Sequence, residues 1–190
     1  NIKKIDNIIH RMVDSQPRMT AEQNEIEIPQ ESLHYFKNNW NLWAHLPHDT
    51  DWSLKSYKLI SKVNHVEGAI ELLNALPDKV IKNCMLFFMK DGINPMWEDP
   101  QNCKGGCFSY KISNNLVANV WRHLSYSLVG ESLLTKQTNN ITGITISPKK
   151  NFCIIKIWMS NCLNQNPDTI NYFEGIDSRG CLFKKHQPEY

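Results

Sequence analysis

The sequence has no excess of either charge and no long apolar run. Its 190 residues include 21 Lys and Arg against 19 Asp and Glu, which gives a formal net charge of +2. Bulk attraction to a polyanion is therefore excluded as a source of affinity, and any nucleic-acid binding must come from a local site. A membrane span needs about 18 consecutive apolar residues, and a secretory signal needs an apolar core near the N-terminus. Because the sequence has neither, we expect a soluble, cytoplasmic protein that does not contact membranes.

Patterns typical of disulfide scaffolds, metal sites and hydrolases are also missing. The six cysteines are scattered, and a chain of this length builds a core without disulfide bonds, so we expect reduced thiols. Cys103 and Cys107 lie four residues apart, but no second Cys or His pair at zinc spacing accompanies them. Nor is there a dense cluster of Glu that would hold divalent metals in a hydrolase. We therefore expect no metal, no cofactor, and a binding protein rather than an enzyme.

Residues 1–32 predict an amphipathic helix followed by a polar linker. Apolar residues recur there at helical spacing, with charged residues between them: Ile2, Ile5, Ile8, Ile9, Met12 and Val13. The helix should end before Pro17, and its apolar stripe must be buried either on the rest of the chain or on a partner protein. Residues 33–190 are long enough to form one compact domain.

The rest of the chain predicts an α+β fold. Short strands and helices follow one another as ββ-α-ββ-α-ββ-α-β, which is typical of a sheet with helices on one face. Asn64 is the predicted N-cap of the first helix, with Glu67 as its capping-box partner. Trp121 lies on the buried stripe of the second helix, and a third helix is predicted from Asn166 toward Glu174. The other face of the sheet is then open for a ligand.

Residues 94–99 form a polar loop in which Trp97 stands beside Glu98. An indole offers a flat π-face on which a nucleobase can stack, and a carboxylate can accept two parallel N–H donors from a base edge. Guanine presents such a pair at N1 and N2, whereas adenine and uracil do not. Trp52, in the polar run 48–53, is the candidate for a second ring. The alternative for each indole is structural: Trp97 folded onto the core, or Trp52 as an isolated surface hydrophobe.

The segments around this loop resemble those of the cap-binding translation initiation factor 4E family. The resemblance rests on five segments that occur in the family's order. They are His34 with Trp40 and 41–43, residues 59–62 with Val66 and Glu67, residues 89–99 with 104–106, Trp121 with 128–131, and residues 155–158. The resemblance implies a curved antiparallel β-sheet of about seven to eight strands. It also implies three helices on the convex face of the sheet and an mRNA cap bound on the concave face.

By matching position, the resemblance implies roles for single residues in binding a 7-methylguanosine cap. Trp52 and Trp97 would sandwich the methylated base, and Glu98 would bind its N1 and N2 groups. Trp158 would lie against the N7-methyl group, with Met96 also in the base site. Methylation at N7 makes the base cationic, so stacking on two indoles would favour it over plain guanine.

The cap phosphates need cations, and the resemblance points to a basic hairpin. Lys149 and Lys150 match the family's basic positions at the tip of that hairpin, and Lys156 shares one strand face with Trp158 because side chains alternate along a strand. The basic residue usual after the paired glycines is Cys107 here, so one phosphate contact is missing. Further candidates nearer the C-terminus are Arg179, Lys184 and Lys185.

The resemblance also implies a partner-binding surface on the helical side, for a scaffold or repressor protein of the initiation factor 4G type. Three of its residues match the family: His34, Val66 and Gly130. Four others depart from it: Ile70, which replaces an aromatic, and Arg122, His123 and Tyr126. Arg122 is expected to add a positive charge to this surface. We therefore expect either a non-standard partner or a surface covered by the N-terminal helix.

Together these features predict a protein that binds the 5′ cap of mRNA and recruits capped transcripts for translation initiation. The alternative is a cap-binding translational repressor or mRNA-storage protein that does not engage the usual scaffold.

Overall fold

The computed structural model describes residues 2–14, 33–136 and 140–186. The helices are α1 (Ile2–Asp14), α2 (Val66–Ala75), α3 (Asp78–Asn83) and α4 (Val117–Val129). The strands are β1 (Tyr35–His45), β2 (Tyr57–His65), β3 (Met85–Lys90), β4 (Gly106–Ser113), β5 (Ile141–Pro148), β6 (Phe152–Met159) and β7 (Leu182–Lys185). None of the described helices combines the length and hydropathy needed to cross a membrane.

The seven strands form one open sheet in the order β2-β1-β3-β5-β6-β4-β7. Every neighbouring pair is antiparallel. Antiparallel neighbours can be joined by short turns, and β5 and β6 are joined in this way through residues 149–151. The α+β class and the curved antiparallel sheet predicted from the sequence are confirmed.

Alternation along the strands gives the sheet two apolar faces. In β3, Leu86 and Phe88 belong to the main core beneath the helices, whereas Phe87 and Met89 belong to a smaller cluster on the opposite face. The side chains on both faces of β3 are apolar because both faces of the strand are covered. The smaller cluster forms the floor of the open face and also contains Tyr57, Ile93, Cys107 and Trp158.

The four helices lie on the main-core side of the sheet. Helix α4 packs against α2, α3, β1 and β5. Its buried stripe includes Trp121, whose side chain is fully buried. The core position predicted for Trp121 is confirmed.

The N-terminal helix α1 packs on β2 and α3. Ile5 and Ile9 are buried in the main core, and Met12 is partly buried against it. The Asp6 carboxylate lies 3.3 Å from Nδ1 of His48, in the loop between β1 and β2. The apolar stripe is therefore buried on the chain itself. The predicted linker that follows lies outside the described residues.

The start of α2 differs from the prediction. The N-cap is His65, without a side-chain cap, so the capping box of Asn64 and Glu67 is wrong. Glu67 instead accepts a hydrogen bond from the backbone N–H of His34 at 3.2 Å, and its other oxygen lies 2.6 Å from His34 Nδ1. These donors lower the pKa of Glu67 to about 2. A segment 33 residues earlier in the chain thus supplies the partner, which local spacing cannot reveal.

The third predicted helix is also wrong. Asn166 does accept a hydrogen bond from Asp168 N at 3.0 Å, but the turn that it caps contains only Pro167–Thr169. Ile170 then pairs with Leu134 in an isolated bridge, which keeps the chain extended. The sequence analysis instead missed α3, which begins directly after Pro77. Its six residues are too few to show helical periodicity.

Candidate functional site

A cavity of about 380 Å³ opens on the face of the sheet opposite the helices. Side chains from the loop between β1 and β2, from the loop between β3 and β4, and from strands β6 and β7 line it. The predicted site residues among them are Trp52, Met96, Trp97, Glu98, Lys156 and Trp158. Other lining residues include Tyr57, Phe87, Cys107, Lys184, Lys185 and His186.

Trp52 lies in the loop between β1 and β2, with 53% of its surface exposed. One face of its indole stacks on the imidazole of His45, with ring centroids 4.0 Å apart and planes at 3°. His45 Nε2 donates to the carbonyl oxygen of Asp51 at 2.8 Å, since a carbonyl can only accept. The Asp51 carboxylate accepts from Ser53 N and Oγ, which lowers the pKa of Asp51. Trp52 is thus held with one face covered.

Trp97 lies in the loop between β3 and β4, with 41% of its surface exposed. Two buried polar side chains, Asp99 and Asn102, shape this loop. Asp99 accepts from Asn94 N at 2.9 Å, and Asn102 Nδ2 donates to Met96 O at 2.8 Å. The backbone that leads into Trp97 is therefore held by hydrogen bonds to two buried side chains.

Glu98 is exposed at the rim of the cavity. Among the residues that the structure describes, none donates a hydrogen bond or forms an ion pair with its carboxylate. It lies close enough to Tyr57 to act on it: burial first, and then the Glu98 charge, raise the pKa of Tyr57 to about 12. The carboxylate oxygens of Glu98 are free to accept hydrogen bonds from a ligand.

Trp158 differs from the other two indoles because only 7% of its surface is exposed. Its Nε1 donates to Thr145 Oγ1 at 3.0 Å, so its polar edge is occupied within the sheet. Its ring contacts that of His186, with centroids 4.5 Å apart. Trp158 belongs to the apolar cluster at the floor of the cavity, and Met96 packs against that cluster. Both residues therefore offer apolar surface to a ligand.

Three of the basic side chains named in the sequence analysis line the cavity: Lys156, Lys184 and Lys185. The register explains two of them, because Lys184 pairs with Cys107 and Cys107 pairs with Trp158 across β7, β4 and β6. This row places Lys184 two strands from Trp158 on the same face. Lys156 lies two residues before Trp158 on the face that both share.

The other basic candidates lie elsewhere. Lys149 and Lys150 are exposed at the tip of the β5–β6 hairpin and are not among the residues that line the cavity. Arg179 also lies away from the cavity, where its guanidinium pairs with Asp177 at 2.6 Å. The neighbouring guanidinium lowers the pKa of Asp177 to about 2.

The sequence analysis missed His45, Tyr57 and His186 as parts of the site. His186 Nδ1 donates to Asn102 O at 2.8 Å, and its backbone N–H donates to Gly105 O. Burial lowers the pKa of His186. These contacts fasten the residue after β7 to the loop that carries Trp97. No short-range pattern marks any of the three, because each acts through partners distant in sequence or through ring geometry.

The predicted partner-binding residues separate into two groups. Val66 and Ile70 are exposed at the start of α2, beside exposed Tyr35, which the sequence analysis missed, and His34 is fixed to Glu67. Both apolar residues stay exposed while α1 is docked on β2 and α3. The expectation that α1 covers them is therefore wrong for the described residues.

On α4, the expectation that Arg122 adds a free positive charge is wrong. Its guanidinium donates to the carbonyl oxygens of Leu73 and Leu76 at the end of α2, at 3.2 and 2.9 Å, and to Asp78 at 2.8 Å. Arg122 thus satisfies helix-terminal carbonyls and is neutralised by a carboxylate. The other three predicted residues of the partner-binding surface have contacts of their own. Tyr126 donates a hydrogen bond to Asn74, His123 stacks on Phe173, and Gly130 ends α4.

Comparisons with known proteins agree with this architecture. The family model described as eukaryotic initiation factor 4E matches residues 35–176. Eukaryotic translation initiation factor 4E-1B of Danio rerio is 28% identical over 172 residues, which cover 85% of this chain and 79% of the relative.

Two solved structures share the fold. Initiation factor 4E-3 of Ascaris suum in complex with an m7G cap has a TM-score of 0.63 at 23% identity, over 70% of this chain and 77% of that one. The complex of C. elegans initiation factor 4E-3 with the 4E-binding protein Mextli and a cap analogue has a TM-score of 0.62 at 23% identity, over 69% and 76%. The family match spans the sheet from β1 to β6 and both tryptophan-bearing loops. This chain therefore belongs to the eukaryotic initiation factor 4E family.

Proposed function

We propose that this protein binds the 7-methylguanosine 5′ cap of mRNA in the open-face cavity and acts in translation initiation in the cytoplasm. One observation carries the proposal. Two exposed indoles, Trp52 and Trp97, and a carboxylate with free oxygens, Glu98, come from two different loops and line the same cavity. Family membership and the cap-bound relative from Ascaris suum support the same function.

The base stacks between Trp52 and Trp97. Stacking on one aromatic side chain contributes about 1 to 3 kcal/mol. Because N7-methylation gives guanine a delocalised positive charge, each indole adds a cation–π contribution of roughly 0.5 to 2 kcal/mol. Because His45 stacks on one face of Trp52, only the other face is available to the base. The stacking geometry therefore requires a single ligand ring.

Glu98 distinguishes guanine from the other bases. Its two oxygens accept from N1–H and N2–H₂, which lie side by side only on guanine. Hydrogen bonds to an ionised acceptor are worth about 1.5 to 3 kcal/mol. Trp158 and Met96 supply the apolar surface beside the base on which the N7-methyl group packs.

Lys156, Lys184 and Lys185 bind the phosphate chain. All three line the cavity, and Lys156 and Lys184 lie on the same sheet face as Trp158. Lys149 and Lys150 remain candidate phosphate-binding residues only for a phosphate chain long enough to reach the hairpin tip. Local lysines suffice even though the protein as a whole is nearly neutral, because the phosphate charge is concentrated at one end of the ligand.

Titration of 7-methyl-GTP, GTP and ATP against tryptophan fluorescence tests the proposal. We expect 7-methyl-GTP to bind about tenfold more tightly than GTP and ATP to bind most weakly. No nucleotide should be consumed. Equal affinity for 7-methyl-GTP and GTP would contradict the cationic sandwich, and turnover would contradict a binding protein.

The partner is a protein that docks on the exposed apolar patch of Tyr35, Val66 and Ile70. The C. elegans relative in complex with a 4E-binding protein supports a protein partner for this fold. A scaffold of the 4G type would make this chain an initiation factor that recruits capped mRNA. A partner without ribosome-recruiting activity would make it a translational repressor or mRNA-storage protein. We keep this alternative because the aliphatic Ile70 replaces the aromatic residue that the usual scaffold contacts.

A further inference from the structure

The stacking half of the site formed by Trp52 depends on a residue that does not line the cavity. His45 is the last residue of β1 and only 2% exposed. Its imidazole stacks on one face of Trp52, with ring centroids 4.0 Å apart and nearly parallel planes. A ligand in the cavity would therefore contact Trp52 but not His45.

The imidazole is itself held on its other sides. Its Nε2–H donates to the carbonyl of Asp51, the residue directly before Trp52. The ring of Tyr57, at the start of β2, contacts it edge-on at 5.2 Å and 66°. The stack fixes the plane of the Trp52 ring, and the hydrogen bond fixes the backbone that carries it.

We infer that His45 is a positioning residue for Trp52, which holds the indole with one face open to a stacked base. This inference rests on the proposed function. It adds a residue outside the cavity that holds the Trp52 ring in position for stacking.

Two substitutions separate the parts of this role. His45→Ala removes both the stack and the hydrogen bond, so the affinity for 7-methyl-GTP at neutral pH should fall about fivefold to tenfold. His45→Phe keeps a flat ring behind Trp52, so most of that loss should be rescued. Thermal unfolding of each variant shows whether the fold is kept, and His45→Phe remains informative if His45→Ala does not fold.

The decisive readout is the effect of His45→Ala on 7-methyl-GTP affinity with and without the ring that His45 positions. In Trp52→Ala, which lacks that ring, adding His45→Ala should cause little further loss of affinity, because the two residues act as one unit.

The outcomes distinguish this inference from the proposed function. Failure of the parent to prefer 7-methyl-GTP at neutral pH would overturn the proposed function. A normal preference with an equal loss of affinity on His45→Ala in the parent and in Trp52→Ala would overturn the role of His45 alone. Lack of rescue by His45→Phe would likewise overturn positioning through the stacked ring.

Discussion

The side-chain amide of Asn102 donates a hydrogen bond to the carbonyl oxygen of Met96, the residue directly before Trp97, over 2.8 Å. Asn102 is fully buried and also donates to Asn94 O at 3.2 Å. A side chain eight residues beyond Asn94 thus closes the loop on itself, and the position of Trp97 depends on it.

Substitution of Asn102 by Ala should therefore affect both stability and binding. Two part-buried backbone carbonyls, those of Asn94 and Met96, would lose their donor, which should lower the free energy of unfolding by about 1 to 3 kcal/mol. The affinity for 7-methyl-GTP should fall as the loop loosens. Gln101→Ala is the matched control, because Gln101 is exposed and contributes its backbone N–H to Asp99. Equal behaviour of the two variants in chemical denaturation and titration would contradict this role for Asn102.

Replacing Trp52 or Trp97 by Ala should each cost about 1 to 3 kcal/mol of 7-methyl-GTP binding with little change in melting temperature, because both rings are exposed. Trp121→Ala is the contrasting control. Its ring is fully buried, so the loss should be about 3 to 5 kcal/mol of stability. Calorimetric titration and thermal unfolding measure the two effects separately. A large loss of stability in Trp97→Ala would restore the interpretation that this ring anchors the loop to the core.

Glu98→Gln should weaken guanine recognition by about 1.5 to 3 kcal/mol, since a charge-assisted acceptor is replaced by a neutral amide. The loss should be smaller for 7-methyl-ITP, in which the base lacks the N2 amino group. Glu174→Gln, at an exposed carboxylate outside the cavity, is the control. If Glu98→Gln binds both ligands like the parent, the carboxylate does not contact the base edge.

Charge reversal at Lys156 or Lys184 should weaken the binding of 7-methyl-GTP by about 1 kcal/mol or more. The binding of 7-methyl-GMP should be weakened less, because only the longer phosphate chain extends along these lysines. Lys149→Glu and Lys150→Glu, at the hairpin tip, should have smaller effects on both ligands. Titrations at several salt concentrations check the electrostatic origin of the difference. Equal effects on both ligands would exclude the reversed lysine as a phosphate contact.

A standard 4G-type peptide should bind weakly to the patch of Tyr35, Val66 and Ile70, because the central aromatic anchor expected at Ile70 is missing. Ile70→Trp should raise the peptide affinity by about 2 kcal/mol, as typical for a hot-spot aromatic. Glu71→Trp, at the next and exposed position of α2, should not. Calorimetry on the full chain measures both. Nanomolar binding by the parent would refute the expectation of a non-standard partner.

The strands and the cavity-lining tryptophans were predictable from the sequence because both leave short-range signals. Alternation and apolar runs marked β2, β3 and β6, and an indole without apolar neighbours marked Trp52 as unusual. Contacts between distant segments left no such signal. Glu67 has a suitable spacing for a capping box, yet it forms its hydrogen bonds with His34. Arg122 has a suitable position to add a surface charge, yet its guanidinium donates to the carbonyl oxygens at the end of α2.

Ring geometry was equally invisible to sequence reasoning. His45 lies seven residues before Trp52, and only the reversal of the chain between β1 and β2 brings the two rings together. His186 lies 84 residues after Asn102 and reaches it because β7 pairs with β4. The residues that we propose to bind the cap were thus easier to predict than the residues that hold them in place.

The loops that carry Trp52 and Trp97 leave the sheet at opposite ends of β3. His45 pairs with Met85 at one end of that strand, and Lys90 at the other end leads into the Trp97 loop. Each loop has its own anchor, His45 for one and Asn102 for the other, so their thermal motions need not be correlated in the empty protein. A ligand held by both rings would join the two loops, and part of the gross interaction free energy would offset the entropy that they lose. Substitutions that stiffen either loop in advance would then tighten binding without adding any contact to the ligand.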